Sequence, residues 1–280
     1  MTQTQKAARL LELHHENGPL VLINAWDAAS ACIVERAGFP AIATSSAAVA
    51  NALGYADGQH TPWTEMVDAI RRIATAVSVP VTADIEAGFS ATAQDLERNM
   101  EQIVEAGAVG MNLEDALPGY VERGPLYPIA EQVDRIQRVR RLSARLKLHL
   151  VINARTDAYW QDGVSPEAAM SNTLERGRAY LQAGADCIFV PGLTKPEHIR
   201  SVVEQLKAPV NVLGLAGMPS IPELGKLGVR RVSMGSGAMR VAMSALRRFA
   251  DEARTAGTYS ALATNNVTYA EMNGFFEKKS

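Results

Sequence analysis

The ten residues AGAVGMNLED, Ala106 to Asp115, set the reading of the whole chain. Gly107 supplies the left-handed conformation that ends a helix, and after a short step the run 108–113 reads as a buried parallel strand finishing on carboxylates. The same form recurs as AGFPAIATSS (37–46), AGADCIFVPG (183–192) and LGVRRVSMGS (227–236). Helical patterns lie between, as in TPWTEMVDAIRRIATAV (61–77), where Thr61 precedes a Pro that opens the helix.

Working outward gives candidate strands at 20–25, 41–46, 79–84, 108–113, 148–154, 187–191, 209–213 and 230–234. Helical segments separate them, and a last one follows near 239–255. Eight strand–helix units in 280 residues predict an α/β fold, a (β/α)8 TIM barrel, as a single domain over 1–255. A doubly wound open sheet shares this local grammar. However, no GxGxxG follows the first strand, GSGAMR (235–240) lacks the third Gly, and no loop ends in GK[ST]. Residues 256–280 form a C-terminal helical extension carrying Tyr259, Leu262, Val267, Tyr269, Met272, Phe275 and Phe276. That is more apolar surface than a solvated tail requires, so the extension is expected in an oligomer interface.

The totals exclude several classes. A hydrophobic fraction of 47%, a charged fraction of 21% and a net charge of −2 suit a soluble globular protein and offer no basic surface for nucleic acid. The basic run RIQRVRRLSARLK (135–147) fits the exposed face of a helix. No stretch approaches the roughly 18–20 apolar residues of a membrane span. MTQTQKAARLLELHHENG (1–18) reads as a short amphipathic helix rather than a signal peptide, which places the protein in the cytoplasm. Cys32 and Cys187 are isolated in apolar surroundings, so neither a disulfide nor a zinc site is expected.

Barrel active sites gather at the carboxyl ends of strands. Read in order, those ends are Trp26-Asp27, Ser45-Ser46, Asp84 with Glu86, Glu114-Asp115, Arg155 with Asp157, Pro191-Gly192, Asn211 and Ser233. In VPVTADIEAGF (79–89), Asp84 and Glu86 stand two apart on one strand face, where paired carboxylates repel unless a positive charge lies between them. Four carboxylates from two neighbouring strands and one Arg from the next converge on one mouth, with no His or Cys among them. Hard oxygen donors of this kind suit Mg²⁺ or Mn²⁺. No Ser–His–Asp grouping can be assembled from the strand ends, so Ser45 and Ser46 read as binding groups.

The phrases AWDAASACIVERAGFPAIATSSAAVA (25–50), LGYADG (53–58), PVTADIEAGF (80–89), AGAVGMNLED and INARTDA (152–158) resemble the isocitrate lyase/phosphoenolpyruvate mutase superfamily over nearly the whole length. The family's Asp-x-Asp-x-Gly-Tyr-Gly stands here as Asp84-Ile-Glu86-Ala-Gly88-Phe89. The resemblance implies a Mg²⁺-dependent enzyme acting on a small, oxaloacetate-like 2-oxo acid, with C–C cleavage through a metal- and Arg-stabilised enolate. It implies Asp84, Glu86 and Glu114 toward the metal, and Arg155, Asp57 and Glu114 in catalysis. Trp26, Ser45, Ser46, Asp84, Arg155 and Asn211 are assigned to substrate. It also implies a homo-oligomer, dimer or tetramer, whose subunits exchange C-terminal helices.

Departures narrow this expectation. Lyase members carry Lys-Lys-Cys-Gly-His on the loop after the fourth strand, where this chain has ALPGYVERGPLYP (116–128), so it is not expected to be an isocitrate or methylisocitrate lyase. Asp57 matches the nucleophile of phosphoenolpyruvate mutase and phosphonopyruvate hydrolase members, which leaves C–P chemistry as the alternative. The Lys and Asn-Ser that grip phosphoryl oxygens there are missing, and Arg123 alone stands in for them. A non-catalytic 2-oxo acid binding protein is the remaining alternative.

Overall fold

The computed structural model describes residues 1–119, 124–263 and 267–277. Nine parallel strands run β1 (Leu20–Leu22), β2 (Asn24–Ala25), β3 (Ile42–Thr44), β4 (Val81–Asp84), β5 (Gly110–Glu114), β6 (Val151–Arg155), β7 (Cys187–Val190), β8 (Val210–Leu213) and β9 (Arg231–Ser233). Every expected strand is present. The first is split: β1 pairs with β9, whereas β2 pairs with β3. The break at Ile23 lets one strand serve both flanks, and that closes the sheet into a (β/α)8 barrel.

The helices are α1 (Gln3–Leu13), α2 (Ala28–Arg36), α3 (Ser46–Leu53), α4 (Trp63–Ala76), α5 (Ala93–Glu105), α6 (Ile129–Arg145), α7 (Pro166–Gln182), α8 (Pro196–Leu206), α9 (Ile221–Lys226), α10 (Gly237–Thr255) and α11 (Tyr269–Gly274). Helix α1 opens with a Thr2–Gln5 capping box and buries Ala7, Leu10 and Leu13 in the barrel core. A Cβ at Gly110 would lie 2.8 Å from Leu10 Cδ2 and 3.0 Å from the Val151 carbonyl, so this close approach of helix to strand requires glycine.

Helices α4 to α8 each bury an apolar stripe, as with Met66, Val67, Ile70 and Ile73 of α4. Helix α10 differs: of its 19 residues only Met239 is buried, while Val241, Met243 and Leu246 are exposed. Beyond it lie a short 3-10 turn (Ser260–Ala263) and α11. Arg36 at the end of α2 donates to the Gly274 carbonyl at 2.8 Å and stacks over Phe275, so part of the extension folds back on its own barrel. Among the described residues no helix is long and apolar enough to cross a membrane.

Candidate active site

Strand β4 ends on Asp84, β5 on Glu114 and β6 on Arg155, and in register Glu114 sits directly opposite Arg155. A cleft of about 300 Å³ opens at these strand ends. It brings together Ser45, Ser46, Asp57, Asp84, Glu86, Glu114 and Arg155, all of them expected from the sequence.

Three expectations need correction. Asp115 follows Glu114 and points the opposite way, because successive side chains of an extended segment alternate. It is fully buried outside the cleft, accepting from Tyr180 Oη (2.7 Å), Arg176 Nη1 (3.1 Å) and the Asp157 backbone N–H (3.0 Å). Asn211 also fails to open into the cleft. It lies one side-chain layer deeper in the barrel, tied to the Ser233 hydroxyl at 3.1 Å, and Leu213, two residues on, takes the rim. Trp26 packs against the core, since β2 stops at Ala25 and the Asp27–Ser30 capping box turns the chain into α2. Asn24 lines the cleft instead. Arg123 lies outside the described residues, and none of the described residues of 116–128 lines the cleft.

The cation of the site is held tightly. Arg155 donates Nε to Asp157 Oδ1 (2.6 Å) and Nη2 to Asp157 Oδ2 (2.8 Å), a two-pronged fork. Its Nη1 lies 2.7 Å from Glu114 Oε2, off the hydrogen-bonding angle. The guanidinium carbon sits 5.1 Å from the Trp160 ring centroid and 5.9 Å from that of Phe189. Burial works against its charge, but Asp157 and Glu114 outweigh that and hold its pKa well above the ordinary value.

The carboxylates are correspondingly strained. Burial, then the negative charges of Asp57 and Asp84, push Glu86 up to about 8. Burial raises Glu114 well above the carboxylate range despite Arg155. The backbone is strained too, with Glu86 at φ +50° and Phe89 at φ +49°. This turn is pinned from both sides: Arg135 donates to the Ala87 carbonyl, and the Phe89 N–H donates to Gln59 Oε1 at 2.7 Å. At Gly88 (φ +86°) a Cβ would come within 2.5 Å of Leu96 Cδ1, so glycine is required.

Ser46 is tied to the end of β4. Its N–H (3.0 Å) and hydroxyl (2.9 Å) both donate to Asp84 Oδ2. Ser45 caps α3 by accepting from the Ala48 N–H at 3.3 Å.

Among the described residues no three His, Cys, Asp or Glu side chains form a ready-made direct ligand cage. The donor set nevertheless fits Mg²⁺. It is all oxygen, buried and crowded with negative charge, and Mg²⁺ takes one or two carboxylates while keeping several waters.

Sequence reasoning missed Asn24, Asn112, Trp160, Phe189, Leu213, Leu215, Ser236 and Arg240, which also line the cleft. Period-two counting back from Glu114 finds Asn112, and counting on from Cys187 finds Phe189. Arg240 stands one turn into α10 and carries no sequence signal of its own.

A family profile for phosphoenolpyruvate phosphomutase matches residues 10–254. The chain belongs to the isocitrate lyase/phosphoenolpyruvate mutase superfamily. It is an enzyme of that superfamily. A crystal structure from Burkholderia cenocepacia J2315, provisionally called a lyase/mutase, is 33% identical with a TM-score of 0.89, covering 99% of this chain and 98% of that one. A second from the same organism, provisionally called a phosphonomutase, is 37% identical with a TM-score of 0.84, covering 89% and 99%. The 2-methylisocitrate lyase of Halalkalibacterium halodurans is 29% identical over 97% of this chain and 89% of its own.

Proposed function

We propose that this superfamily member is a Mg²⁺-dependent (or Mn²⁺-dependent) enzyme that breaks a C–C bond in a small 2-oxo acid of the oxaloacetate type. The observation that carries the reading is the pairing, in one cleft of about 300 Å³, of buried Asp84, Glu86 and Glu114 with Arg155. A bound Mg²⁺ would supply electrophilic charge at the substrate's carboxylate and keto oxygens. Asp84, Glu86 and Glu114 would hold it, largely through water.

The rest of the chemistry belongs to the chain. Nη1 of Arg155 takes no part in the Asp157 fork, and it would face the position where charge develops on the C2 oxygen. The bond from C3 to the departing carbon breaks heterolytically, and its electron pair runs into the C2 carbonyl to give the enolate. The departing fragment leaves as CO₂ or as a carbonyl compound, and protonation at C3 yields the 2-oxo product. Glu114 beside Arg155 is placed to adjust that charge, and burial holds its pKa well above the ordinary value. Ser45 and the start of α3 offer polar contacts to the substrate carboxylate.

A second reading rests on Asp57, which lines the same cleft and whose charge acts on Glu86. There Asp57 attacks phosphorus and the C–P bond breaks, in keeping with the phosphonomutase name given to one relative. A panel of 2-oxo acids and phosphonopyruvate, followed for pyruvate, CO₂ or phosphate release with and without Mg²⁺, decides. Turnover of phosphonopyruvate alone would replace C–C cleavage by the second reading, and no turnover of any compound would sink both.

We further infer a cytoplasmic homo-oligomer, dimer or tetramer, built with the extension 256–280. The exposed Val241, Leu246, Tyr259 and Tyr269 support it.

A further inference from the structure

The buried network beneath the cleft holds a fully buried charge outside the proposed machinery. Arg231, on β9, is 0% exposed, and among the described residues no carboxylate forms an ion pair with it. Its Nε donates to the Ser233 hydroxyl at 3.4 Å and its Nη2 to Asn112 Oδ1 at 3.2 Å. An uncompensated guanidinium is among the more expensive groups a core can contain, and an apolar side chain of equal length would pack more cheaply. Its retention calls for a reason other than packing.

The reason lies in what it fixes. Asn112 Oδ1 accepts from both Arg231 Nη2 and Asn153 Nδ2, the latter at 2.8 Å. Two donors on that oxygen exclude the flipped amide, so Asn112 Nδ2 must face the other way. There it donates to Asp84 Oδ1 at 3.3 Å, across the β4–β5 register pair. On the far side of the same carboxylate, Oδ2 accepts from the Ser46 N–H and hydroxyl. A carboxylate oxygen has two lone-pair sites, so Oδ2 is fully used and Oδ1 keeps one.

We infer that Arg231 is a positioning residue. By locking the Asn112 amide it leaves Asp84 a single free lone pair, on Oδ1, aimed into the cleft for a divalent cation. This deepens the proposed function and rests on its metal reading. Without Arg231 only Asn153 Nδ2 holds that oxygen, and Asn153, whose own Oδ1 has no partner among the described residues, can turn together with it. The Asn112 oxygen then faces Asp84, which sets two acceptors against each other and misdirects the ligand.

The test is Mn²⁺ affinity of the full chain, read from loss of the free-ion paramagnetic resonance signal, with circular dichroism and melting curves to certify folding. Arg231→Met should weaken Mn²⁺ binding about tenfold or more, as loss of an outer hydrogen-bond partner does at other metal sites. Arg231→Gln, which keeps a donor without the charge, should recover most of it. In an Asn112→Ala background, Arg231→Met should cause no further loss, because its effect runs through that amide. A folded Arg231→Met within twofold of wild type would overturn the role, as would Gln no better than Met or additive losses in the double variant. If Arg231→Met does not fold, Asn112→Ala reads the same contact from its other side: weaker Mn²⁺ binding supports the role and unchanged binding overturns it. No Mn²⁺ binding by the wild-type chain would instead remove the metal reading itself, and this inference with it.

Discussion

Asp157 grips both Nε and Nη2 of Arg155, at 2.6 and 2.8 Å, and so leaves Nη1, with the second Nη2 N–H, for Glu114 and the cleft. That geometry makes the guanidinium's planar fork indispensable, because a lysine has no second arm with which to be held while it donates. Arg155→Lys should therefore lower kcat by about 10²–10³, the usual cost of losing a donor aimed at a developing oxyanion. Asp157→Asn, which frees the fork but keeps the arginine, should lie between the two. A lysine variant within threefold of wild type would reduce Arg155 to a partner that merely neutralises Glu114.

Chelation provides the second check. EDTA should abolish turnover and Mg²⁺ or Mn²⁺ should restore it. Asp84→Ala removes a cleft carboxylate fixed on both sides, by Ser46 and by Asn112, and should lose activity together with its metal response. Full turnover in chelator would leave the crowded carboxylates without a cation to explain them.

The pH dependence has a definite sign. Burial and the charges of Asp57 and Asp84 raise Glu86 to about 8, so the folded state favours its neutral form. In the metal-free protein that contribution to stability is fully present below the unfolded value of about 4.5 and is lost as pH rises through about 8. A cation among the carboxylates favours the ionised form and must displace the proton to bind. The rise in Tm caused by Mg²⁺ should therefore be larger at about pH 8.5 than at about pH 6, and Glu86→Gln should flatten the difference. Equal increments at the two pH values would count against Glu86 as a group facing the metal.

The barrel was legible because the strands at β3, β5, β7 and β9 each follow a helix-ending glycine (Gly38, Gly107, Gly184 and Gly228), and the carboxylate cluster because strand ends are marked by the change from apolar to polar. What stayed hidden is depth and register. LVLI (20–23) is an unbroken apolar run, so nothing in it marks Ile23 as the place where one strand becomes two. Alternation alone separates Glu114 from Asp115, which adjacency in sequence presents as one pair. Asn211 and Leu213 share a face and differ only in height within the barrel, which is set by cross-strand pairing with Arg231 and Ser233. The Asn112–Asp84 contact arises in the same way, from register between strands 28 residues apart.

Neither cysteine should matter to catalysis. Cys32 is buried in α2 with its Sγ 3.6 Å from the Ala76 carbonyl, and Cys187 opens β7 with its thiol pushed up to about 12 by burial. A thiol so raised is not nucleophilic at neutral pH. Replacing both with alanine should leave kcat/KM within a small factor while costing ~1 kcal/mol or more in stability from lost packing. Inactivation by thiol alkylation without unfolding would bring back a cysteine-dependent lyase mechanism.

The last expectation concerns α10 and the extension. An ordinary outer helix of a barrel buries one stripe along its length, but α10 buries only Met239 and leaves Val241 71% and Leu246 57% exposed. The extension adds Tyr259 at 71% and Tyr269 at 88%, although Arg36 anchors its far end through Gly274 and Phe275. Burying each large side chain of that set contributes ~1.5–3 kcal/mol, enough in combination to hold subunits together. Ending the chain at Gly257 should therefore lower both the mass seen by light scattering and the Tm. Leu246→Glu, which keeps the extension and its Arg36 anchor, should lower the mass as well, since a charge on α10 cannot be buried in a subunit contact without a partner. A truncated chain and a Leu246→Glu variant that both keep the wild-type mass would show that these apolar surfaces hold no subunits together.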